Sequence, residues 1–466
     1  MELAAQLGEI VGPAHVLTEP DDVASYTTDW TGRFVGSGPA VVRPGSLEEV
    51  VAIVELCRRQ GIAIVPQGGN TGLVGGGVPL RGELVVSLRR LDRVDPVDAV
   101  SRQVTAGAGA TVSSVQAAAA DAGLRYAVDF GARGSATVGG SIATNAGGIN
   151  LIRYGGTREQ LVGIEAVLGT GEVVRQMSGL VKDNTGYHWP SLLCGSEGTL
   201  GIVTAARFRL VPAAPHRVVA FVAMSSVDAA VDAVAQWRTT IPSLEAAELV
   251  FDAGVALVVA EFGVPFPFPA PSPVYVLIEA GAGYDPTEEL AVAVEGVAGV
   301  VDVAVASDGA RRAALWRLRE EHTLAINRVG IPQKFDITLP QARLAEFAAT
   351  VPGVVDQATP GADTWLFGHV GDGNLHVNVT GASPDAFELD DAVYGLVVAL
   401  GGSISAEHGI GTAKARYLPL QRSEGELSAM RAIKSALDPD GIMNPNVLFA
   451  GGGQTPSGQV PSRSRA

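Results

Sequence analysis

Residues 66–77 read PQGGNTGLVGGG, and residues 131–148 read GARGSATVGGSIATNAGG. Both are glycine-rich, and both keep Asn, Thr or Ser among the glycines. Backbone N–H groups with no side chains over them make anion-binding concavities. A loop that feeds a helix N-terminus adds the helix dipole. One such loop reads equally well as a turn, but two in one domain suit a ligand that carries a diphosphate. The first loop closes a β-α-β unit. Val41 and Val42 begin a short strand, and Ser46-Leu-Glu-Glu49 is a capping box. Val50, Ile53, Val54 and Cys57 keep a helical period, Gly61 stops the helix, and Ile62 to Val65 is the next strand. Further strands read at Leu84 to Leu88 and Gln103 to Ala106, and a helix reads from Thr111 to Ala122. Residues 161–175 read as a hairpin that turns at Gly169-Thr-Gly171. GSEGTLGIVT (195–204) leads into a strand that ends near Pro212. The run from Gly107 to Gly109 follows a strand as a dinucleotide fingerprint would, but Val112 stands where that fingerprint needs a small residue. No GxxxxGK[ST] occurs.

At 466 residues the chain is long enough for two or three domains. With 47% hydrophobic and 18% charged residues it is not a disordered chain. Its 58 glycines have no G-X-Y period, which excludes collagen. The net charge of −16 repels phosphate backbones, so no nucleic acid partner is expected. Cys57 and Cys194 are the only cysteines, which excludes a disulfide framework and a CxxC metal knuckle. MELAAQLGEI has no basic region, and no run of 18 apolar residues occurs. A cytoplasmic protein with no membrane span is the expectation. PAAPH (212–216) reads as a boundary. Beyond it, strands such as Val218 to Val222 and Val274 to Ile278 alternate with Ala/Val-rich helices, around a Pro-rich loop at 262–273. The expected division is an N-terminal segment (1–37), a first domain (38–214), a second domain (215–449) and a disordered tail (450–466).

Three of seven histidines lie in FGHVGDGNLHVNV (367–379) and SAEHGIG (405–411). His369 and His376 flank the turn Gly371-Asp-Gly373. Leu375 to Val379 alternates as a strand, so His376 and Asn378 share a face. Glu407 and His408 are adjacent. Two imidazoles and a carboxylate suit a divalent metal with open positions; zinc, manganese and iron all fit this donor set. Any one of these histidines alone reads better as a structural group. Arg319 and Thr323 lie four apart in LWRLREEHT (315–323), on one helical face, and Lys334 follows in QKFDITLP (333–340). Arg319 reads equally as a surface ion pair with a nearby Glu.

PQGGNTG, GSATVGGSIATNAGG, KDNTGY (182–187) and GSEGTLGIVT occur in one order. Together they resemble the FAD-binding domain of the vanillyl-alcohol-oxidase/PCMH flavoprotein superfamily, over residues 38 to 212. The two C-terminal motifs, with ALDPDGIMNPN (436–446), resemble the FAD-linked D-2-hydroxyacid dehydrogenases. The resemblance implies an α+β fold. A PCMH-type FAD-binding domain of two α/β subdomains is followed by a substrate domain, with an antiparallel sheet flanked by helices. A C-terminal segment then returns to the flavin. The first loop, from Pro66 through Gly68, Gly69, Asn70, Thr71 and Gly72, would wrap the pyrophosphate. Ser135, Gly139, Gly140, Thr144, Asn145 and Gly148 would lie along the diphosphate and isoalloxazine. Glu197, Gly198 and Ile202 would approach the adenosine half, and Asn444 would neighbour the flavin. The first loop offers no His or Cys, so non-covalent FAD is expected.

The same resemblance implies that His369, His376 and Glu407 bind the metal, with zinc the leading choice. His408 would be the base, and Arg319, Thr323, Lys334 and Asn378 would hold substrate. The R-x-x-x-T plus Lys arrangement is closest to the enzymes acting on D-2-hydroxyglutarate; D-lactate or glycolate is the alternative within the group. The implied reaction passes the hydroxyl proton to His408 and a hydride to flavin. A metal-dependent hydrolase and a silent flavin-binding subunit remain as other classes. The electron acceptor stays open among an electron-transfer flavoprotein, a quinone and oxygen, and a homodimer is the candidate assembly.

Overall fold

The computed structural model describes residues 3–383 and 387–449. The expectation for the tail at 450–466 falls outside the described residues. Helix Leu47–Gln60 starts and stops where its caps direct: the Ser46 hydroxyl accepts from the Glu49 N–H, and Gly61 ends it in the left-handed region at φ 65°. This helix links two strands of a four-stranded sheet, ordered Val16–Leu17, Val41–Val42, Leu84–Ser87, Ile64–Gln67. The strands before and after the helix are both parallel to Leu84–Ser87, which lies between them. The β-α-β unit expected from the sequence is therefore a split one. All four residues of the intervening strand are buried, and a central position buries more apolar surface than an edge.

A second sheet of four strands runs Gln103–Gly107, Gly201–Arg209, Leu161–Leu168, Val173–Gln176, with every neighbour antiparallel. The two sheets share one core, which includes Val50, Val86, Val104, Ile142 and Phe208. Ile442 and Met443 enter the same core from the far end of the chain. They are tied in by backbone bonds from Ile64 N–H to Ile442 and from Asn444 N–H to Ile64.

The third sheet has seven antiparallel strands. Its order is Val300–Ala306, His216–Met224, Val274–Ala282, Leu244–Phe251, Asp363–His369, Asn374–Thr380, Gln333–Thr338. In His216–Met224, the side chains of Val218, Ala220 and Val222 enter one core, with helices Val227–Thr240 and Leu344–Ala358. Val219, Phe221 and Ala223 enter another, with helices Asp252–Phe262, Gly309–Glu320 and His322–Val329. Helices cover both faces, so these strands read as continuous apolar runs rather than alternating ones. No helix among the described residues is long and apolar enough to cross a membrane.

Candidate active site

A cavity of about 940 Å³ lies between the two glycine loops and the seven-stranded sheet. Every residue named above as a cofactor, substrate or metal candidate lines it except Asn145, as does the proposed base His408. Asn145 caps helix Val138–Thr144 in the left-handed region, and its Oδ1 accepts from the Arg158 N–H and from Cys194. The glycine pattern picked it out, but the cap geometry turns it into the protein.

The glycine wall is built by close backbone contact. A Cβ on Gly69 would stand 2.1 Å from the Ser135 carbonyl oxygen, so the first loop packs on the second only as glycine. Arg89 donates to the carbonyls of Gly68 and Gly69, at 3.2 and 3.1 Å, and fixes the loop from behind. By contrast, a Cβ on Gly72 or Gly131 would meet nothing within 4 Å. These backbones are open, as a diphosphate cradle requires, and the cavity falls within the size range of cofactor sites. The residues present therefore fit FAD.

Three expected side chains line the cavity but are already engaged. Glu197 accepts the N–H groups of Ile410 and Gly411, at 2.9 and 2.7 Å. Asn444 donates to the carbonyls of Gly76 and Glu197. Asn70 donates to Ser25 and Thr28. They hold loops in place as well as lining the cavity.

On the sheet side, cross-strand pairing puts the chemistry on one face. Lys334 pairs with Asn378, Asp336 with His376, and His376 with Phe367. One ligand atom each from His369, His376 and Glu407 lies within 4.8 Å of the others, and Asp336, Glu407 and His408 form a second such set. Glu407 also accepts the Gly148 N–H at 3.0 Å, which ties the cluster to the second glycine loop.

Two buried carboxylates organise this cluster, and no motif reading found them. Glu248 Oε1 lies 2.5 Å from His369 Nδ1, and its Oε2 accepts from Arg319 Nε at 2.7 Å. Burial alone would lower His369, but Glu248 and Glu407 outweigh it and push the imidazole up to about 9. Burial would raise Glu248, but His369 and Arg319 bring it down to about 2. Asp336 accepts the backbone N–H groups of Glu407 and His408, at 2.8 and 2.9 Å, and its carboxylate faces Nδ1 of His408 at 3.4 Å and Nδ1 of His376 at 3.5 Å. Burial opposes its charge, yet His408, Lys414 and His376 hold it well below the usual carboxylate range. His376 is lowered to about 3 by burial despite Asp336, which keeps the ring neutral. The signal for both acids was one of position: each is a carboxylate inside a buried strand, Glu248 in EAAELVF, which also carries Glu245, and Asp336 in QKFDIT.

Arg319 and Thr323 do not share one helix. Glu321 separates helix Gly309–Glu320 from His322–Val329, and both side chains still line the cavity. The Arg319 ion pair exists but is buried, with the guanidinium also 4.7 Å from the Phe367 ring centroid. Lys334 is shifted downward by burial. Among the described residues it has no carboxylate partner, and its ammonium lies 5.8 Å from the centroid of the Trp30 ring.

Residues 39–176 match the FAD binding domain family model, and residues 213–448 match that of FAD linked oxidases, C-terminal domain. The chain is 42% identical to D-2-hydroxyglutarate dehydrogenase of Xanthomonas citri pv. viticola, over 95% of this chain and 96% of that one. It is 35% identical to D-2-hydroxyglutarate dehydrogenase of Stutzerimonas stutzeri, over 96% and 99%. A crystal structure of p-cresol methylhydroxylase with substrate bound superposes with a TM-score of 0.75 at 17% identity, over 97% of both chains, which supports the PCMH-type fold. Two glycine loops facing one cavity, the matched models and full-length relatives agree: the chain belongs to the FAD-linked oxidase family, among flavoproteins of the PCMH-type fold.

Proposed function

We propose that this protein is an FAD-dependent dehydrogenase that oxidises a D-2-hydroxy acid, foremost D-2-hydroxyglutarate, to the 2-oxo acid. The observation that carries the substrate is Lys334. Among the described residues it is a cation of the cavity wall with no anionic partner, and it stands there beside Arg319, which is paired with Glu248. A second cation suits a second carboxylate. The names of the two relatives agree with a dicarboxylate. Asn378 adds a donor: its Nδ2 is buried and unpaired among the described residues, and the residue lines the cavity.

FAD would be held non-covalently by the two glycine loops and, when bound, supplies the acceptor for the hydride that leaves C2. His369, His376 and Glu407 have the donor set for a divalent metal, zinc among them, which when bound supplies Lewis acidity toward the hydroxyl. The neutral His376 suits that role, and with Glu248 on Nδ1 of His369 a metal would take Nε2 in place of its proton. His408 takes the hydroxyl proton on Nε2. Asp336 faces its Nδ1 and sets the ring. A base placed this way contributes on the order of 10²–10⁴-fold. An electron-transfer flavoprotein or a quinone would then reoxidise the cofactor.

The test is anaerobic titration of the purified holoprotein, followed at the flavin band. D-2-hydroxyglutarate should bleach it at far lower concentration than D-lactate, and Lys334→Met should reduce that preference. Bleaching by D-lactate alone would favour a monocarboxylate enzyme. His408→Ala should keep its flavin and lose bleaching by either acid.

A further inference from the structure

Trp30 is 61% exposed, an unusual place for an indole, yet it lines the cavity beside Lys334. It belongs to the N-terminal segment, where the sequence carries no motif. Its loop is rigid. Asp29 is buried; its Oδ1 accepts the Phe34 N–H at 3.0 Å and its Oδ2 accepts the Thr31 hydroxyl at 2.5 Å. The backbone bridges Thr28 to Val35 around the turn. The Phe34 ring lies so close to Gly75 that a Cβ there would stand 2.8 Å from it. Asn70, in the first glycine loop, donates to the Thr28 carbonyl at 2.8 Å. The tip that carries Trp30 is therefore anchored to the glycine loop at its base, with the indole 5.8 Å from the Lys334 ammonium.

We propose that Trp30 is a specificity-determining residue, which roofs Lys334 and excludes water from the ion pair that Lys334 forms with the distal carboxylate of a dicarboxylate substrate. This rests on the dicarboxylate reading given above. The argument is dielectric. An ion pair under an apolar roof is stronger than one open to water, and the indole face also attracts the ammonium. A monocarboxylate substrate has no group at this end and gains nothing from the roof. Trp30 thus acts on selectivity, not on the reacting atoms.

The experiment is steady-state kinetics of the flavin-loaded enzyme with a dye acceptor, on D-2-hydroxyglutarate and D-lactate, for Trp30→Ala, Trp30→Phe and Lys334→Met. Trp30→Ala should lower the ratio of kcat/KM for the dicarboxylate over D-lactate by about tenfold, carried by KM. Its KM for the dicarboxylate should become more sensitive to salt, and Trp30→Phe should restore most of the ratio. A ratio unchanged by Trp30→Ala, or a loss carried equally by kcat on both acids, overturns the proposal. If Lys334→Met collapses the ratio while Trp30→Ala does not, only the role of Trp30 fails. If the wild-type enzyme shows no preference for the dicarboxylate, the underlying reading fails and the role of Trp30 with it.

Discussion

Cys57 and Cys194 are both free and buried. Burial pushes the Cys57 thiol up to about 12 from an ordinary value of 9.0, and Cys194 up to about 11. The folded state keeps protons that the unfolded chain releases. Their contribution to stability is therefore intact below pH 9 and is lost as pH rises toward 12. A thiol reagent should label neither cysteine in the native protein at neutral pH, and both after denaturation. Urea midpoints measured from pH 9 upward should fall less steeply in Cys57→Ala than in the wild type; equal slopes would show that the Cys57 thiol does not govern this range. The same residue shows how much a single position reveals. The helical period placed Cys57 on the apolar face of its helix. That Cys194 Sγ lies 3.4 Å from Asn145 Oδ1 depends on a contact 49 positions away, and no spacing rule reaches it.

The first glycine loop and the strand-borne cluster are the elements that carry the site. Because a Cβ on Gly69 would meet the Ser135 carbonyl at 2.1 Å, Gly69→Ala must part the two loops. That variant should fold, and its affinity for FAD should fall by about tenfold or more, seen as loss of yellow colour on gel filtration. Glu197 makes a second prediction at this scale. Glu197→Ala leaves the Ile410 and Gly411 N–H groups without their acceptor. Each orphaned buried group costs about 1–3 kcal/mol, so the melting temperature should drop, and the segment carrying His408 should become more sensitive to protease. An unchanged melting temperature would mean that water replaces the carboxylate.

At the scale of the molecule, the flavin side is joined to the seven-stranded sheet by Glu245. Its carboxylate is fully buried and meets Arg125 at 2.7 Å, Arg153 at 3.2 Å and Arg217 at 3.2 Å. Tyr154 Oη donates to it at 2.8 Å. Arg125 and Arg153 come from the flavin side, Arg217 and Glu245 from the sheet. Glu245→Ala would leave Arg125 and Arg153 facing Arg217 without their anion, and Arg217 with Glu279 alone. Removing one partner of a buried pair costs about 3–5 kcal/mol, so the urea midpoint should fall markedly. Substrate preference should not change, since Glu245 does not line the cavity.

Local chemistry was enough to read several parts of this protein from its sequence. The helix between Ser46 and Gly61 follows from its caps and its apolar period, and the hairpin around Gly169 from its turn residues. The two glycine loops and the histidine-bearing strand and turn are each contained in fewer than twenty consecutive residues, and their order carried the family resemblance. Only the tertiary structure inserted Leu84–Ser87 between the strands of the first unit, because a long crossover leaves the strand order open. It also broke the helix at Glu321 and turned Asn145 inward. Above all it brought Asp336 and Trp30 to the cavity and Glu248 behind His369 and Arg319. A buried carboxylate or a capping indole is specified by what folds over it, and those partners lie up to hundreds of residues away.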